Sequence, residues 1–158
     1  MSELQIVDRE LLDALSVAAR TAPRLRKNHN LHPSDASACH RLLNAVEPGS
    51  YIRPHRHLDP EKDESFVLLR GTLGVLTFDA AGEVTGSVLL QAGGARIVAD
   101  IGHGVYHTAL ALESGTIFFE AKAGPYLPLS EEEKAGFAPE EGSPAAARYL
   151  EGLAARFA

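Results

Sequence analysis

The sequence predicts a mainly β domain with a helix at each end. Between Ala38 and Ala121, short apolar or alternating runs are separated at close intervals by glycine, proline and other turn residues. No stretch between these runs is long enough for a crossover helix, so an antiparallel sandwich or barrel is favoured over a parallel α/β sheet. Strands are expected near 40–47, 50–57, 64–70, 73–78, 83–90, 95–100, 105–111 and 115–121.

Both ends of the chain show the apolar spacing of a one-faced helix. The first pattern covers residues 4–20, where Asp8 is placed to cap the first turn or to lie within it. The last covers 145–157 behind a predicted N-cap at Ser143. A capping-box pattern beginning at Ser130 predicts one further short helix.

The length of 158 residues fits one domain. We expect residues 1–37 to provide the N-terminal helix and an extended segment packed on a β-barrel. Residues 38–126 should form the barrel, and residues 127–158 should form a C-terminal helical extension. Within the first part, the polar stretch 24–35 is by composition a loop or an irregular edge strand.

The composition excludes several classes of protein. Fifteen basic and 21 acidic residues give a formal net charge of −6, which argues against a general nucleic-acid binder. No apolar run approaches the ~18 residues of a membrane helix, so no membrane partner is expected. The early charged residues do not suit a signal peptide, and Cys39 is the only cysteine. A cytoplasmic protein is therefore expected.

Two histidines one residue apart, His55 and His57, give the sharpest functional signal. Because a strand alternates its faces with a period of two, both side chains point the same way, with α-carbons ~6.6 Å apart. Glu64 opens the next predicted strand on the face assigned to the interior, where an unpaired carboxylate is costly. His107 points inward with the small apolar residues of a later strand.

Three imidazoles and one carboxylate can hold a divalent transition metal ion and leave coordination positions open. This ligand set does not choose among zinc, iron, nickel, manganese and copper.

A basic segment surrounds the histidine pair. Residues 20–57 contain seven basic and two acidic residues, and five of the seven histidines. This charge favours a small anionic ligand, and a solvated basic surface is the alternative interpretation. Tyr51 lies an even number of residues before His55 and His57, so it faces the same side of the predicted strand and is the candidate catalytic proton donor. The alternative interpretation is a tyrosine buried in the barrel wall. The candidate substrate-binding residues are Arg24, Arg26, Asn28, Asn30, His32 and Arg53.

Two other groups of residues have ordinary structural interpretations. Glu120 and Lys122 share one face of a predicted strand, which is typical of a structural ion pair. His103 lies between two glycines, which indicates a turn.

The spacing around the predicted ligands resembles the two motifs of the cupin superfamily. The residues that carry this resemblance are Gly49, His55, His57, Glu64, Gly71, Gly104 and His107. It implies a single-domain jelly-roll barrel with a metal inside, and it matches His55, His57, Glu64 and His107 to the usual ligand set.

The motifs also depart from that pattern in two places. Six residues separate His57 from Glu64, where three or four are usual. Glu61 fits the shorter spacing, but Glu64 is preferred because the strand and the motif glycine follow it in register. In the second motif, Gly102 replaces the usual proline and Ala111 stands where asparagine is common.

A closer resemblance, to the WbuC family of cupin-fold metalloproteins, covers nearly the whole chain. It is carried by residues 23–32, 41–44, 50–57, 119–126 and 137–140. Members of that family occur among bacterial surface-polysaccharide genes. The resemblance therefore implies a connection with polysaccharide biosynthesis by association alone.

Three kinds of function remain open from the sequence. The first is a metal-dependent isomerase or epimerase acting on a small anionic or sugar-derived molecule, or a dioxygenase if the ion is ferrous. The second is a non-catalytic binding or sensing module, and the third is a metal-free acid–base barrel. A sheet edge or the end helices could support a homodimer.

Overall fold

The computed structural model describes residues 4–158. It consists mainly of β-strands, with a helix near each end, as the sequence predicts. In chain order the elements are α1 (Arg9–Thr21), β1 (Arg26–Asn30), β2 (Cys39–Val46), β3 (Glu64–Arg70), β4 (Thr72–Phe78), β5 (Val84–Gln91), β6 (Val98–Ile101), β7 (Tyr106–Ala111), β8 (Thr116–Ala123) and α2 (Ala146–Ala154), which a 3₁₀ turn extends over Ala155–Phe157.

The strands form two antiparallel sheets. The larger sheet has the order β1-β2-β8-β3-β6, and the smaller has the order β5-β4-β7. All neighbouring strands run antiparallel, which confirms the prediction of an antiparallel β fold. Within residues 4–158 no hydrogen-bonded ladder joins the two sheets, so the structure is a pair of sheets and not a continuously closed barrel.

The main apolar core lies between the two sheets. Phe66 and Phe118 from the larger sheet pack with Val75 and Leu90 from the smaller sheet, and all four are buried. The two aromatic rings have centroids 4.8 Å apart, a separation typical of favourable aromatic pairs. The strand alternation seen in the sequence therefore produces a shared interior.

The terminal helices cover the outer faces of the sheets. Leu15 of α1 packs on Leu43 and Ile117 of the larger sheet. Leu150 of α2 packs on Leu76 of the smaller sheet. Each helix therefore buries its apolar stripe on a sheet face that would otherwise meet water. Among the described residues, no helix has both the length and the apolarity needed to span a bilayer.

Residues 50–57 do not form the predicted strand. In this segment only His55 makes a bridge, exchanging two backbone hydrogen bonds of 3.1 and 2.8 Å with His107. Pro54 has no N–H to donate to a ladder, which disfavours regular pairing. Conversely, the polar stretch 24–35 contains β1, because antiparallel pairing with β2 provides its hydrogen bonds.

The helix predicted at Ser130 was wrong, because the chain there forms turns. Its backbone instead pairs with the segment before β3: the N–H of Arg56 donates to Glu133 O at 2.9 Å, and the N–H of Ala135 donates to Pro54 O at 3.0 Å.

Of the two predicted helix caps, the one at Asp8 is confirmed and the one at Ser143 is wrong. The first helix begins at Arg9, after Asp8, whose carboxylate accepts from the N–H of Leu11 at 2.9 Å. Helix α2 begins at Ala146 with no side-chain cap, so Ser143 is not its N-cap. The buried hydroxyl of Ser143 has no hydrogen-bond partner among the described residues.

The turn between β3 and β4 requires a glycine. Gly71 has φ +77°, and a β-carbon at this position would lie 2.8 Å from the α-carbon of Thr116. We expect Gly71→Ala to lower the free energy of unfolding by ~1–3 kcal/mol, measured by urea denaturation. Gly136→Ala is the matched control, because no atom lies within 4 Å of its added carbon. Equal urea midpoints for the two variants would contradict the prediction.

Candidate metal centre

Three parts of the chain bring the predicted ligands together. His55 and His57 lie in the connection between β2 and β3, Glu64 is the first residue of β3, and His107 lies in β7. The backbone bridge between His55 and His107 fixes the histidine pair against the smaller sheet. The rings of His55 and His107 have centroids 4.7 Å apart.

Glu64 occupies the middle of this cluster, and it is only 2% exposed. One carboxylate oxygen, Oε1, lies 2.8 Å from Nε2 of His57, and it accepts from Nζ of Lys122 at 2.9 Å. The other oxygen, Oε2, lies 2.8 Å from Nε2 of His107. The structure therefore joins the carboxylate to two of the predicted histidines.

Backbone carbonyls orient two of the imidazole rings. Nδ1 of His55 lies 3.0 Å from the carbonyl oxygen of Arg53, and Nδ1 of His107 lies 2.9 Å from that of Val105. Because a carbonyl oxygen only accepts, we assign the Nδ1 hydrogen to both rings. Each neutral ring then has its lone pair on Nε2, the arrangement by which backbone carbonyls orient metal-binding histidines.

This tautomer has a consequence at His107. In its neutral form, the lone pair of Nε2 faces a carboxylate oxygen of Glu64 at 2.8 Å. Two acceptors at this distance repel unless a proton or a metal cation lies between them. The geometry therefore requires a positive charge at this point.

The spacing of the donor atoms fits a single metal ion. The ligand atoms of His55, His57 and Glu64 all lie within 4.8 Å of one another. Ligands bound at ~2.1 Å are ~3 Å apart when adjacent and ~4.2 Å apart when opposite, so a small contraction brings these atoms to one ion. His107 lies outside this group, and its Nε2 is 2.8 Å from the second oxygen of Glu64. The donor types and separations of His55, His57 and Glu64 suit a divalent transition metal.

Burial and charge set the protonation of the centre. Burial is the main reason that the pKa of His55 falls to about 4, and the neighbouring His107 lowers it further. Burial opposes ionisation of Glu64, but hydrogen bonds donated by His107 and His57 in their imidazolium forms, together with the charge of Lys122, lower its pKa well below its usual value. A neutral imidazole and an ionised carboxylate are the forms that bind metal.

Two nearby residues that could compete as ligands lie outside the cluster. Glu61 is exposed, and its N–H donates to the side chain of Asp59 at 3.0 Å. His103 is also exposed and contacts Asp63, with 2.9 Å between its Nδ1 and a carboxylate oxygen. Of the two glutamates weighed from the sequence, only Glu64 belongs to the His55–His57 group.

Sequence reasoning missed the connection of Lys122 with this centre. Lys122 lies opposite Glu64 in the β3–β8 register and pairs with both Glu64 and Glu120, whose oxygen is 2.7 Å from Nζ. Burial lowers the pKa of Lys122, but the two carboxylates outweigh it and raise the pKa overall. The Glu120–Lys122 ion pair expected from the sequence is present. Lys122 also pairs with Glu64 because the two residues are opposite each other in neighbouring strands, a register that the sequence does not display.

A polar recess adjoins Lys122 on the inward face of β1, β2 and β8. Asn28 lines it together with Glu120 and Lys122, in a cavity of about 590 Å³. Asn30 and His32 line a neighbouring cavity of about 300 Å³ that also borders Lys122. The amide of Asn28 donates to the side chain of Asn30 at 2.9 Å. These predicted substrate-binding residues therefore lie near the centre without touching it.

The imidazole of His32 is held away from the metal ligands. Its ring stacks on that of His40, with centroids 4.0 Å apart and an interplanar angle of 18°. Both histidines are buried, and Nδ1 of His32 contacts the backbone of Arg41. We therefore assign His32 to the wall of the recess.

The remaining predicted residues contact the tail that follows β8. Arg24 and Arg26 both pair with Glu141, at 2.6 and 2.8 Å. The hydroxyl of Tyr51 donates to Pro139 O at 2.8 Å. A guanidinium nitrogen of Arg53 donates to the carbonyl of Ala135 at 3.0 Å. The alternation of a predicted strand placed Tyr51 and Arg53 on the same side as the histidine pair. In the structure, the hydroxyl of Tyr51 and the guanidinium group of Arg53 bond to the tail instead.

The paired arginines give a test of stability against pH. Burial alone would raise the pKa of Glu141, but hydrogen bonds from Arg24 and Arg26 outweigh it and lower this pKa to about 2. A lowered carboxylate pKa contributes stability above its unfolded-state value near 4.5, and that stability is lost as the pH falls towards the folded-state value. We expect Glu141→Gln to cost ~1 kcal/mol or less in the free energy of unfolding at pH 6, because the pair is partly exposed.

Urea denaturation of the wild type and of Glu141→Gln is measured at pH 6 and at pH 3.5. The difference in free energy of unfolding between the two proteins should be smaller at pH 3.5 than at pH 6. Glu140→Gln is the control, since its carboxylate is 3.8 Å from Arg53 and its side chain is 83% exposed. A difference that grows on acidification would contradict the assignment.

The family model described as "Domain of unknown function (DUF6016)" matches residues 7–90, which is more than half of the chain. No curated protein matches the sequence.

Several solved structures resemble this fold. KdgF from Halomonas sp. matches with a TM-score of 0.51 and 15% identity, covering 66% of this chain and 83% of KdgF. The protein TT1209 from Thermus thermophilus matches with a TM-score of 0.54 and 21% identity, covering 77% of this chain and 98% of TT1209. A cupin-2 domain containing protein from Shewanella frigidimarina NCIMB 400 matches with a TM-score of 0.46 and 24% identity, covering 61% of this chain and 79% of that protein.

These identities are low, so the likeness concerns the fold alone. KdgF and TT1209 share the overall fold of this chain. They do not confirm the narrower resemblance to the WbuC family.

Proposed function

We propose, given that this chain belongs to the family described as "Domain of unknown function (DUF6016)", that it is a metal-binding cupin protein. In this proposal His55, His57, Glu64 and His107 hold one divalent transition metal ion, such as zinc, iron, nickel or manganese. The ion and the adjoining recess act together on a small anionic or sugar-derived molecule. The description of the family assigns no activity, so the proposal rests on the geometry of the site.

The contact between His107 and Glu64 carries the proposal. The Nδ1 hydrogen of His107 is committed to Val105 O, and Nε2 lies 2.8 Å from a carboxylate oxygen. A metal cation supplies the positive charge that this pair requires. His55 and His57 provide further nitrogen ligands within reach of the same carboxylate.

The recess offers groups suited to a polar, hydroxyl-bearing molecule. Side-chain amides such as Asn28 and Asn44 can both donate and accept hydrogen bonds. Glu120 is buried, and it is held by Asn44 at 2.7 Å and by Lys122 at 2.7 Å. A carboxylate fixed in this way can accept a proton from a bound molecule. A bound ion would polarise a carbonyl or hydroxyl of that molecule.

Isomerisation or epimerisation of a sugar-derived substrate needs these two functions, and we propose it as the reaction. A substrate drawn from surface-polysaccharide metabolism is consistent with the WbuC resemblance. Non-catalytic metabolite binding is the second candidate. It is favoured by the contact of the Tyr51 hydroxyl with Pro139, which removes the proton donor expected from the sequence.

Metal binding can be tested directly. We expect protein purified without added metal to contain close to one transition metal ion per chain, as measured by plasma mass spectrometry. His57→Ala and His107→Ala should each lower the affinity for the ion by at least ~10-fold, because each removes a ligand. His103→Ala should keep the ion, since His103 contacts Asp63 outside the cluster.

A wild type that contains no transition metal, and that takes none up in equilibrium dialysis, would overturn this proposal. Equal metal content in His57→Ala and His103→Ala would overturn the ligand assignment.

Catalysis can be separated from binding with deuterated water. Proton transfer to and from carbon during isomerisation or epimerisation incorporates solvent deuterium into the sugar. We expect the metal-loaded protein to label at least one member of a panel of hexuronates, ketoses and aldoses, measured by proton NMR. Glu120→Gln should slow labelling by ~100-fold or more while retaining the metal.

Ligand binding without deuterium incorporation or conversion would favour the non-catalytic alternative. Oxygen consumption by the iron-loaded protein in the presence of one of these sugars would identify a dioxygenase instead.

A further inference from the structure

Lys62 is a largely buried lysine close to the proposed metal centre. It lies between the exposed turn at Asp59 and the first residue of β3, and it is only 9% exposed. Its Nζ donates to Pro125 O at 2.9 Å. A lysine ammonium has three donors, so this contact leaves capacity for a further acceptor.

Lys62 differs from Lys122 in its charge environment. Lys122 pairs with two carboxylates, those of Glu64 and Glu120. Among residues 4–158, no carboxylate oxygen lies within 4.0 Å of Nζ of Lys62. A buried ammonium group without a counter-charge is costly, and an anion that binds beside it offsets that cost.

The pocket beside Lys62 leads to the histidines. It has a volume of about 170 Å³ and is lined by His55, His57, Lys62, Lys122 and Tyr126, among others. At ~30 Å³ for each water molecule, this is the space of five or six waters. A small acid, or the acidic end of a larger molecule, fits a space of this size.

We propose that Lys62 is a specificity-determining residue that binds the carboxylate of the ligand. One carboxylate oxygen accepts a charge-assisted hydrogen bond from Nζ of Lys62, and the rest of the ligand extends towards His57. This inference rests on the proposed function and names the acidic group that its ligand carries. Lys62 is a point donor that suits either a carboxylate or a phosphate, so inorganic phosphate is included among the probes to separate the two.

The test uses defined small probes with the protein as purified. Isothermal titration calorimetry compares glycolate with glycolamide, its uncharged amide counterpart, and with inorganic phosphate. We expect the wild type to bind glycolate at least 10-fold more tightly than either of the other probes. The same protein samples are analysed for metal content.

Two variants separate the local charge from the net charge of the protein. Lys62→Gln removes the ammonium group but keeps an amide N–H that can donate to Pro125, and it should weaken glycolate binding at least 10-fold. Arg148→Gln removes one positive charge from an exposed position on α2, and it should leave glycolate binding unchanged. Thermal melting establishes whether each variant is folded.

Several results would overturn the role of Lys62. They are a wild type that binds glycolate and glycolamide equally, a preference for phosphate, or a folded Lys62→Gln that binds glycolate as the wild type does. If Lys62→Gln does not fold, Lys62→Met, which keeps an unbranched aliphatic chain without the ammonium group, takes its place in the same comparison. If the protein contains metal but does not prefer glycolate, only the Lys62 proposal is refuted. If the protein binds glycolate in a manner that depends on Lys62 but contains no metal, only the metal proposal is refuted.

Discussion

A buried carboxylate at the first position of β3 is the constraint that organises this protein. Glu64 lies on the interior face, where an ionised group is stable only if opposite charge or hydrogen-bond donors surround it. Strand register provides Lys122 directly opposite, and the connection before β3 and strand β7 provide imidazoles. The polar end of the space between the sheets is thus built around one side chain, and the apolar core occupies the rest.

The sequence could predict this centre because its signals are local. Alternation along extended chain places His55 and His57 on one side, even though the segment forms a single bridge and no full strand. The same alternation distinguishes Glu64 from Glu61, because only Glu64 shares the face of the buried apolar residues that follow it. Most strand positions followed from turn residues, and their ends differ by only one or two residues for most strands.

Long-range pairing explains what the sequence could not show. The sequence left the polar stretch 24–35 open between a loop and an edge strand, and pairing with β2 decides for the edge strand β1. The turns after Ser130 pair with the chain around Pro54. The basic segment suggested that Arg24 and Arg26 bind a ligand; both line the recess, and both also pair with Glu141, more than a hundred residues later. Charge along the chain shows which groups need partners, but only the folded topology decides which partners they meet.

The tail after β8 fastens the histidine segment from outside. Glu133 accepts backbone hydrogen bonds from Arg56 through its carbonyl and from Leu58 through its carboxylate, on either side of His57. The geometry of one proposed ligand, His57, therefore depends on chain that is synthesised after every strand of both sheets. A nascent chain that has completed the sheets still lacks this support, so we expect the proposed ion site to be complete only once the residues around Glu133 have emerged from the ribosome.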